Sequence, residues 1–393
     1  MTLGKEAKNA LNDLNSFRDF SWLDVRAMLS EIKSYLINSK VDKVYEINRE
    51  VLQLRFHNPV HKKINLIIQL PKFFFITKKE FEKPTQPSGF VMLLRKKLQN
   101  SRLLSIEQVQ SERLLKLVFS KEENFVMYIE FLKPGNIILC DEQDVIIAAY
   151  RNLEFSSRKI FPKEKYVFPF KENLICLEKE KFFDVLINSK KQNIVKALAL
   201  DLALGGFYSE LILSIPNIDK SKKAAELDNK ELTAIYELFQ TLVTASGEEK
   251  NKESYLFGKD YSPIFFDKQR EIIAKNKQAV KLFPTFSDLV AYLFENSKLV
   301  KEQSSGTSKK SEKIKRIIDS QLKELERAKK DYELAKSQGE AIYQNYAVLE
   351  QIISEIKTLR KKNYDYEQIQ NLLLEKGYKI KINPEENKLI IEL

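Results

Sequence analysis

The sequence predicts an α+β fold spread over several domains, and three observations carry that expectation. A helical stripe near the N-terminus gives way to period-two apolar runs from Lys43 to about Pro169, the signature of a β-rich domain. Helical spacing resumes from Phe182 to Ala245. Beyond Lys309 a long, highly charged segment repeats apolar residues at steps of three and four, as one arm of a coiled coil does. The 393 residues, 43% of them hydrophobic, suit two or three domains and at least one large core.

Taken in order, residues 1–20 are polar and mixed in charge, and read as a short helical extension or a frayed tail. Ser21 caps a helix that runs to about Asn38 with Val25, Met28, Leu29, Ile32 and Leu36 as its buried stripe. Asp24 falls in the first turn, where the helix dipole favours a carboxylate. Residues 44–47, 51–57 and 64–70 read as a three-stranded meander, with 73–76 a fourth apolar stretch. Pro84, Thr85, Pro87, Ser88 and Gly89 form a loop of breakers, and Ser88 caps a second helix. In it Phe90, Met92, Leu93, Leu94 and Leu98 alternate with Arg95, Lys96 and Lys97. Residues 105–119 turn strand-like, with Glu112 and Arg113 side by side. Neighbours on a strand point to opposite faces unless a bulge re-aims them. Strands at 125–131, 137–140 and 145–149 complete a domain assigned to 21–172.

A helical domain follows over 173–250. Its segment 194–204 stops at Gly205-Gly206 with a left-handed cap, and 207–213 resumes as helix. Such a corner can present backbone amides to phosphates, but by spacing alone it is a plain helical corner. Residues 251–302 look like a return to the first domain. A joint at 303–308 precedes the arm, 309–362, whose one breaker is Gly339. Its apolar positions Ile314, Ile318, Leu322, Leu325, Ala328, Tyr332 and Ala335 need cover, from a second chain or from sequence beyond this one. Residues 363–393 form a small tip of one helix and a hairpin-like pair.

Lys plus Arg number 66 against 55 acids, a net charge of +11. That excess suggests nucleic acid or an anionic membrane surface as partner, or simply a basic, highly soluble protein. Cys140 and Cys176 are not in a ligand-spaced pair and read as small core hydrophobes. His57 and His61 stand four apart, but Pro59 breaks the helix that such spacing needs to hold a metal. No metal and no cofactor is expected. No N-terminal apolar segment marks export, and no apolar run is long enough to span a membrane. A soluble cytoplasmic protein without a membrane role is therefore expected.

Six segments in consistent order resemble the NFACT family (the NEMF, RqcH and fibronectin-binding-protein-like factors of ribosome quality control), in its archaeal-type branch. They are SWLDVRAML (21–29), PSGFVMLLRKKL (87–98), QVQSER (108–113), RKIFPKEKYVFP (158–169), ALDLALGGFYSELIL (199–213) and GEAIYQNYAVLEQII (339–353). The resemblance implies an N-terminal domain like that of formamidopyrimidine-DNA glycosylases, a helix–two-turn–helix-like domain and an antiparallel coiled coil. The family's second arm and its C-terminal RNA-binding domain are not represented. It implies binding to the large ribosomal subunit obstructed by peptidyl-tRNA, recruitment of tRNA, and untemplated C-terminal tailing of the stalled chain. It places the family's functional residues on Asp24, Glu112 and Arg113, with Glu112 standing where the family has aspartate. Asn100, Ser101 and Ser111 replace glycines common around that element.

An arginine can fork to phosphate or to a base edge. A carboxylate at an RNA surface must orient an arginine or accept from an exocyclic amine or a 2′-hydroxyl. The plainer alternative is a buried acid–arginine pair that locks the first helix to the strand. Arg26, Arg95 and Lys96 are further possible nucleic-acid contacts. Glycosylase chemistry is not expected, because it needs an amine nucleophile at the N-terminus, and here Met1 is followed by Thr2, Leu3 and Gly4. The competing class is a coiled-coil interaction scaffold, or a general RNA-binding protein without tailing activity.

Overall fold

The computed structural model describes residues 17–84, 86–169, 173–248, 253–264, 266, 280–296, 307–383 and 388–392, with 307–317 and 319 described by backbone alone. The expected extension as far as residue 16, Thr85, the joint at 303–306 and the side chain of Ile314 lie outside the described residues. The chain divides between residues 305 and 306 into two compact units.

In the first unit nine strands form one antiparallel sheet. They are β1 (Lys40–Asn48), β2 (Val51–Asn58), β3 (Lys62–Gln69), β4 (Phe73–Thr77), β5 (Arg102–Gln108), β6 (Leu114–Ser120), β7 (Asn124–Glu130), β8 (Asn136–Asp141) and β9 (Ile146–Ala149). The order is β4-β3-β2-β1-β5-β6-β7-β8-β9, two meanders placed edge to edge. The seam between them is short. Lys40 pairs with Arg102, and the amides of Asn38 and Val41 reach the carbonyls of Leu103 and Ser101, each at 2.8 Å.

Helix α1 (Trp22–Leu36) begins in a capping box made by Ser21 and Asp24. Its stripe of Val25, Met28, Leu29 and Ile32 joins the core of the sheet, while Trp22 and Leu23 enter a second core. That second core belongs to α3 (Lys179–Ile187), α4 (Ile194–Leu200), α5 (Gly205–Ser214) and α6 (Asn229–Gly247), whereas α2 (Gly89–Leu98) links β4 to β5. A three-stranded sheet of β12 (Ser254–Phe257), β13 (Asp260–Ser262) and β14 (Val280–Phe283) follows, and then α7 (Phe286–Asn296); β10 (Leu153–Glu154) and β11 (Lys159–Ile160) are a two-residue pair. Phe286 stacks on Phe20 with ring centroids 5.3 Å apart.

Several expectations are corrected. Phe17 and Phe20 are core residues, so the chain is ordered by packing before the helix cap and not only from it. Residues 105–119 are not one strand, because β5 and β6 are separated by a tight turn. Gln110 takes a left-handed φ of 52° there, and Glu112 donates its amide to the Val109 carbonyl. The helix expected over 194–204 stops at Leu200, with Ala203 left-handed in the turn and Gly205 (φ +73°) opening α5. Cys176 is exposed, since Leu174 and Leu177 on either side take the buried positions.

The second unit contains α8 (Thr307–Gln344), α9 (Tyr346–Lys361), α10 (Tyr366–Glu375) and the hairpin β15 (Ile380–Asn383) with β16 (Lys388–Ile391). The helix runs through Gly339 and is interrupted at Asn345, whose side-chain amide donates to the Ala341 carbonyl. Ile352, Ile369, Leu373 and Ile380 form its small core. Ile318, Leu322, Leu325 and Tyr332 on α8 are exposed.

Candidate nucleic-acid interface

Within the first unit three stretches converge on one cleft of about 840 Å³: residues 18–22, the β5–β6 turn and the α4–α5 corner. Arg18, Glu112, Arg113, Gly205, Phe207 and Lys220 are among the residues that line it.

Asp24 does not line the cleft. It is wholly buried directly behind Arg18. Its Oδ2 accepts from Arg18 Nη1, from the Ser21 amide at 2.7 Å and from the Ser21 hydroxyl at 2.9 Å. Its Oδ1 accepts from Arg18 Nη2 at 2.8 Å and from the Tyr208 hydroxyl at 2.7 Å. Arg18 Nη2 also donates to the Tyr261 carbonyl at 2.8 Å, and the Tyr261 hydroxyl returns a bond to the Arg18 carbonyl at 2.9 Å. The guanidinium lies over the rings of Tyr261, Phe207 and Tyr208 at 4.2, 4.7 and 5.1 Å. Burial works against the Arg18 charge, but Asp24 and the surrounding oxygens outweigh it and hold the group charged above its ordinary range. Burial and then Asp24 push the Tyr208 phenol well above its usual value, so it remains a donor.

The β5–β6 turn is pinned from both sides. Gln108 Nε2 donates to the carbonyls of Trp22 at 2.8 Å and Glu112 at 2.9 Å. The Ser111 hydroxyl accepts from the Leu174 amide at 2.9 Å. Glu112 is nearly buried, whereas a quarter of the Arg113 side chain is exposed. Arg113 Nη1 donates to the Phe20 carbonyl at 3.2 Å and stands 4.0 Å from Asp19 Oδ2. Burial lowers the Arg113 pKa, with Asp19 and Glu112 opposing. Desolvation of this kind makes a guanidinium more demanding of an anionic or carbonyl partner.

The structure thus gathers Glu112 and Arg113 at the cleft and sets Asp24 one layer behind. Arg26 lines a separate groove of about 280 Å³ with Lys33 and Gln108 and packs on Gly247, where a Cβ would meet its Nη2 at 2.6 Å. Arg95 and Lys96 are on α2 and do not line the cleft. Sequence reasoning missed Arg18, Tyr208 and Tyr261. One signal for Arg18 was present: Phe17 and Phe20 bracket two charges immediately before the cap. Nothing local marks Tyr261, which reaches Arg18 across 243 residues.

The cleft is chemically mixed. Arg18, Arg113 and Lys220 offer donors, Asp19, Glu112 and Glu210 oppose them, and Leu200, Leu204 and Phe207 supply apolar wall. Such a surface can recognise the edge and face of a nucleotide; a run of bare phosphates is better served by an unopposed basic stripe. Among the described residues no group of three or more His, Cys, Asp or Glu side chains is placed to hold a metal, and no helix is long and apolar enough to cross a membrane.

Comparison with known proteins agrees with the motifs. The archaeal Rqc2 homolog aRqcH of Methanocaldococcus jannaschii is 30% identical over 366 residues, covering 90% of this chain and 54% of that protein. The ribosome quality control complex subunit NEMF of Homo sapiens is 23% identical over 384 residues, covering 89% of this chain and 35% of that one. The chain therefore spans about half the length of the first relative and about a third of the second. The fibrinogen binding protein from Staphylococcus aureus shares the fold, with a TM-score of 0.52 at 18% identity over 69% of this chain and 97% of that one. Residues 21–389 match the NFACT N-terminal and middle domains, and over that near-complete length the chain belongs to the NFACT family.

Proposed function

We propose that this cleft contacts tRNA and that the protein acts in ribosome-associated quality control. In this proposal it engages a large ribosomal subunit obstructed by peptidyl-tRNA, recruits tRNA to it and supports untemplated tailing of the stalled chain. The ribosome makes the peptide bonds, and the protein positions tRNA without catalysing a step itself. The work is cytoplasmic.

One observation carries the proposal: Arg18, Glu112 and Arg113 line a single cleft. Arg113 can fork to a phosphate or to the O6 and N7 edge of guanine. Glu112 can accept from an exocyclic amine or a 2′-hydroxyl. Asp24 acts through Arg18, holding its guanidinium fixed by two bonds. The names of the relatives, one a ribosome quality control complex subunit and the other an Rqc2 homolog, support the same direction.

A second reading has its own support. Ile318, Leu322, Leu325 and Tyr332 recur at steps of three, four and seven on α8 and are exposed, as the arm of a tethering coiled coil would be. The two separate on one measurement. The double variant Glu112→Ala/Arg113→Ala should lose at least about tenfold of the tRNA recovered with the purified chain, the scale of one forked contact, while still melting in one cooperative transition above the assay temperature. Unchanged tRNA recovery would overturn the cleft proposal in favour of the tether.

A further inference from the structure

Away from the cleft, Tyr45 stands among four cations. Lys83 Nζ lies 4.1 Å from its ring centroid, the guanidinium carbons of Arg55 and Arg95 lie at 5.0 and 5.4 Å, and Lys43 Nζ at 5.8 Å. They arrive from four places: β1, β2, the segment after β4, and α2. On β1, Lys43 and Tyr45 alternate with the buried Val44, so both point away from the core, and Lys43 pairs in register with Arg55 on β2. Arg55 Nη2 donates to the Tyr45 hydroxyl, and Arg95 Nε donates to the Val44 carbonyl at 2.8 Å.

Two carboxylates face the group. Asp42 stands 2.8 Å from Arg55 Nε as an ion pair without a hydrogen bond, and Glu80 is shared between Arg55 at 3.1 Å and Lys83 at 2.6 Å. Both are thus engaged by Arg55 and Lys83. Among the described residues neither Lys43 nor Arg95 has a carboxylate in ion-pairing distance. Four positive charges crowd one ring against two negative ones, leaving an excess of two. The ring offsets part of the mutual repulsion. Positive charges this close still favour an anion that bridges them.

We propose that this patch is a phosphate-backbone contact for single-stranded or looped RNA, separate from the cleft and independent of the tRNA proposal made for it. None of its five residues lines the cleft. RNA fits better than a lipid surface for two reasons. Arg95 is fixed by its Nε, so its outer nitrogens present a set fork, which suits discrete phosphates. The cluster also contains no apolar side chain besides the Tyr45 ring, and interfacial membrane binding needs apolar area to bury.

The test is fluorescence anisotropy of the 393-residue chain with a 5′-labelled oligouridylate of 12 nucleotides, titrated between 50 and 200 mM KCl. Lys43→Glu/Arg95→Gln should weaken binding about tenfold or more at the low-salt end. It should also flatten the log–log salt dependence by about 1.4, since each lost single-strand phosphate contact removes about 0.7. A circular-dichroism melt checks the fold. If that variant is destabilised, Lys43→Gln alone, at an exposed position, should still flatten the slope by about 0.7. Unchanged affinity and slope in the folded variants would overturn the proposal. Loss of binding to phosphatidylserine vesicles with oligouridylate binding intact would overturn it in favour of a lipid surface.

Discussion

At the scale of residues, Asp24 and Arg113 divide two tasks that the sequence motif presents as one. Asp24 is wholly buried and saturated by Arg18, Ser21 and Tyr208, whereas Arg113 keeps a quarter of its side chain in the cleft. Removing the carboxylate strands a guanidinium that is only 16% exposed. Breaking one side of a buried pair costs about 3–5 kcal/mol. Asp24→Ala should therefore lower the unfolding free energy by roughly that amount in urea titrations. Arg113→Ala, at a group that keeps a quarter of its side chain exposed and gives one bond to the Phe20 carbonyl, should cost less, about 1–2 kcal/mol. Equal losses for the two would show that Arg113 is as structural as Asp24. A binding test that starts from Asp24→Ala would mix unfolding with recognition, which is why the tRNA experiment uses Glu112 and Arg113.

At the scale of elements, α1 is fastened at several points along its length. Its first turn enters the helical core, its middle lies on the sheet, and Glu31 caps α7. The Glu31 carboxylate accepts from the amides of Phe286 at 2.8 Å and Ser287 at 2.9 Å. Burial raises its pKa above the ordinary range, more than those two amides lower it. The folded state then holds this proton at a pH where the unfolded chain has released it. Stability falls as pH rises from the usual glutamate range through the raised value. Glu31→Gln should remove that slope in melts taken between pH 4 and 7. A slope unchanged by the substitution would place its origin elsewhere. The same elements show what the sequence made legible. Of the first meander only β1 alternates buried positions with more open ones; β2 and β3 are buried on both faces through much of their length and stand out as apolar runs, and α1 carried a clear stripe and cap. The β5–β6 turn was hidden because no glycine or proline marks it, and Gln110 takes the left-handed conformation instead. Arg18 was hidden because its partners, Asp24 aside, lie on other elements far along the chain, where no window of local pattern reaches.

At the scale of the whole molecule, the change from mixed apolar patterning to a charged repeat falls near the division between residues 305 and 306, and the break at Asn345 left no such mark. In the first unit the sheet and the helical domain share α1, so they should unfold together. Trp22 is the single tryptophan, buried in the helical core with its Nε1 donating to the Leu202 carbonyl at 3.3 Å. Its emission should shift red in the same denaturant transition that removes the strand signal in circular dichroism. Midpoints that differ would mean that α1 can leave one core while remaining in the other.

The reach of those contacts along the chain has a consequence for synthesis. Trp22 meets Leu202 across 180 residues, Asp24 meets Tyr208 across 184, and Arg18 meets Tyr261 across 243. A chain emerges N-terminus first, at about 5–20 residues per second. Helix α1 is therefore made roughly 10–50 seconds before these partners exist. For that interval its tryptophan has no pocket and its aspartate only the nearby Arg18 and Ser21, so an element made early is among the last to be secured.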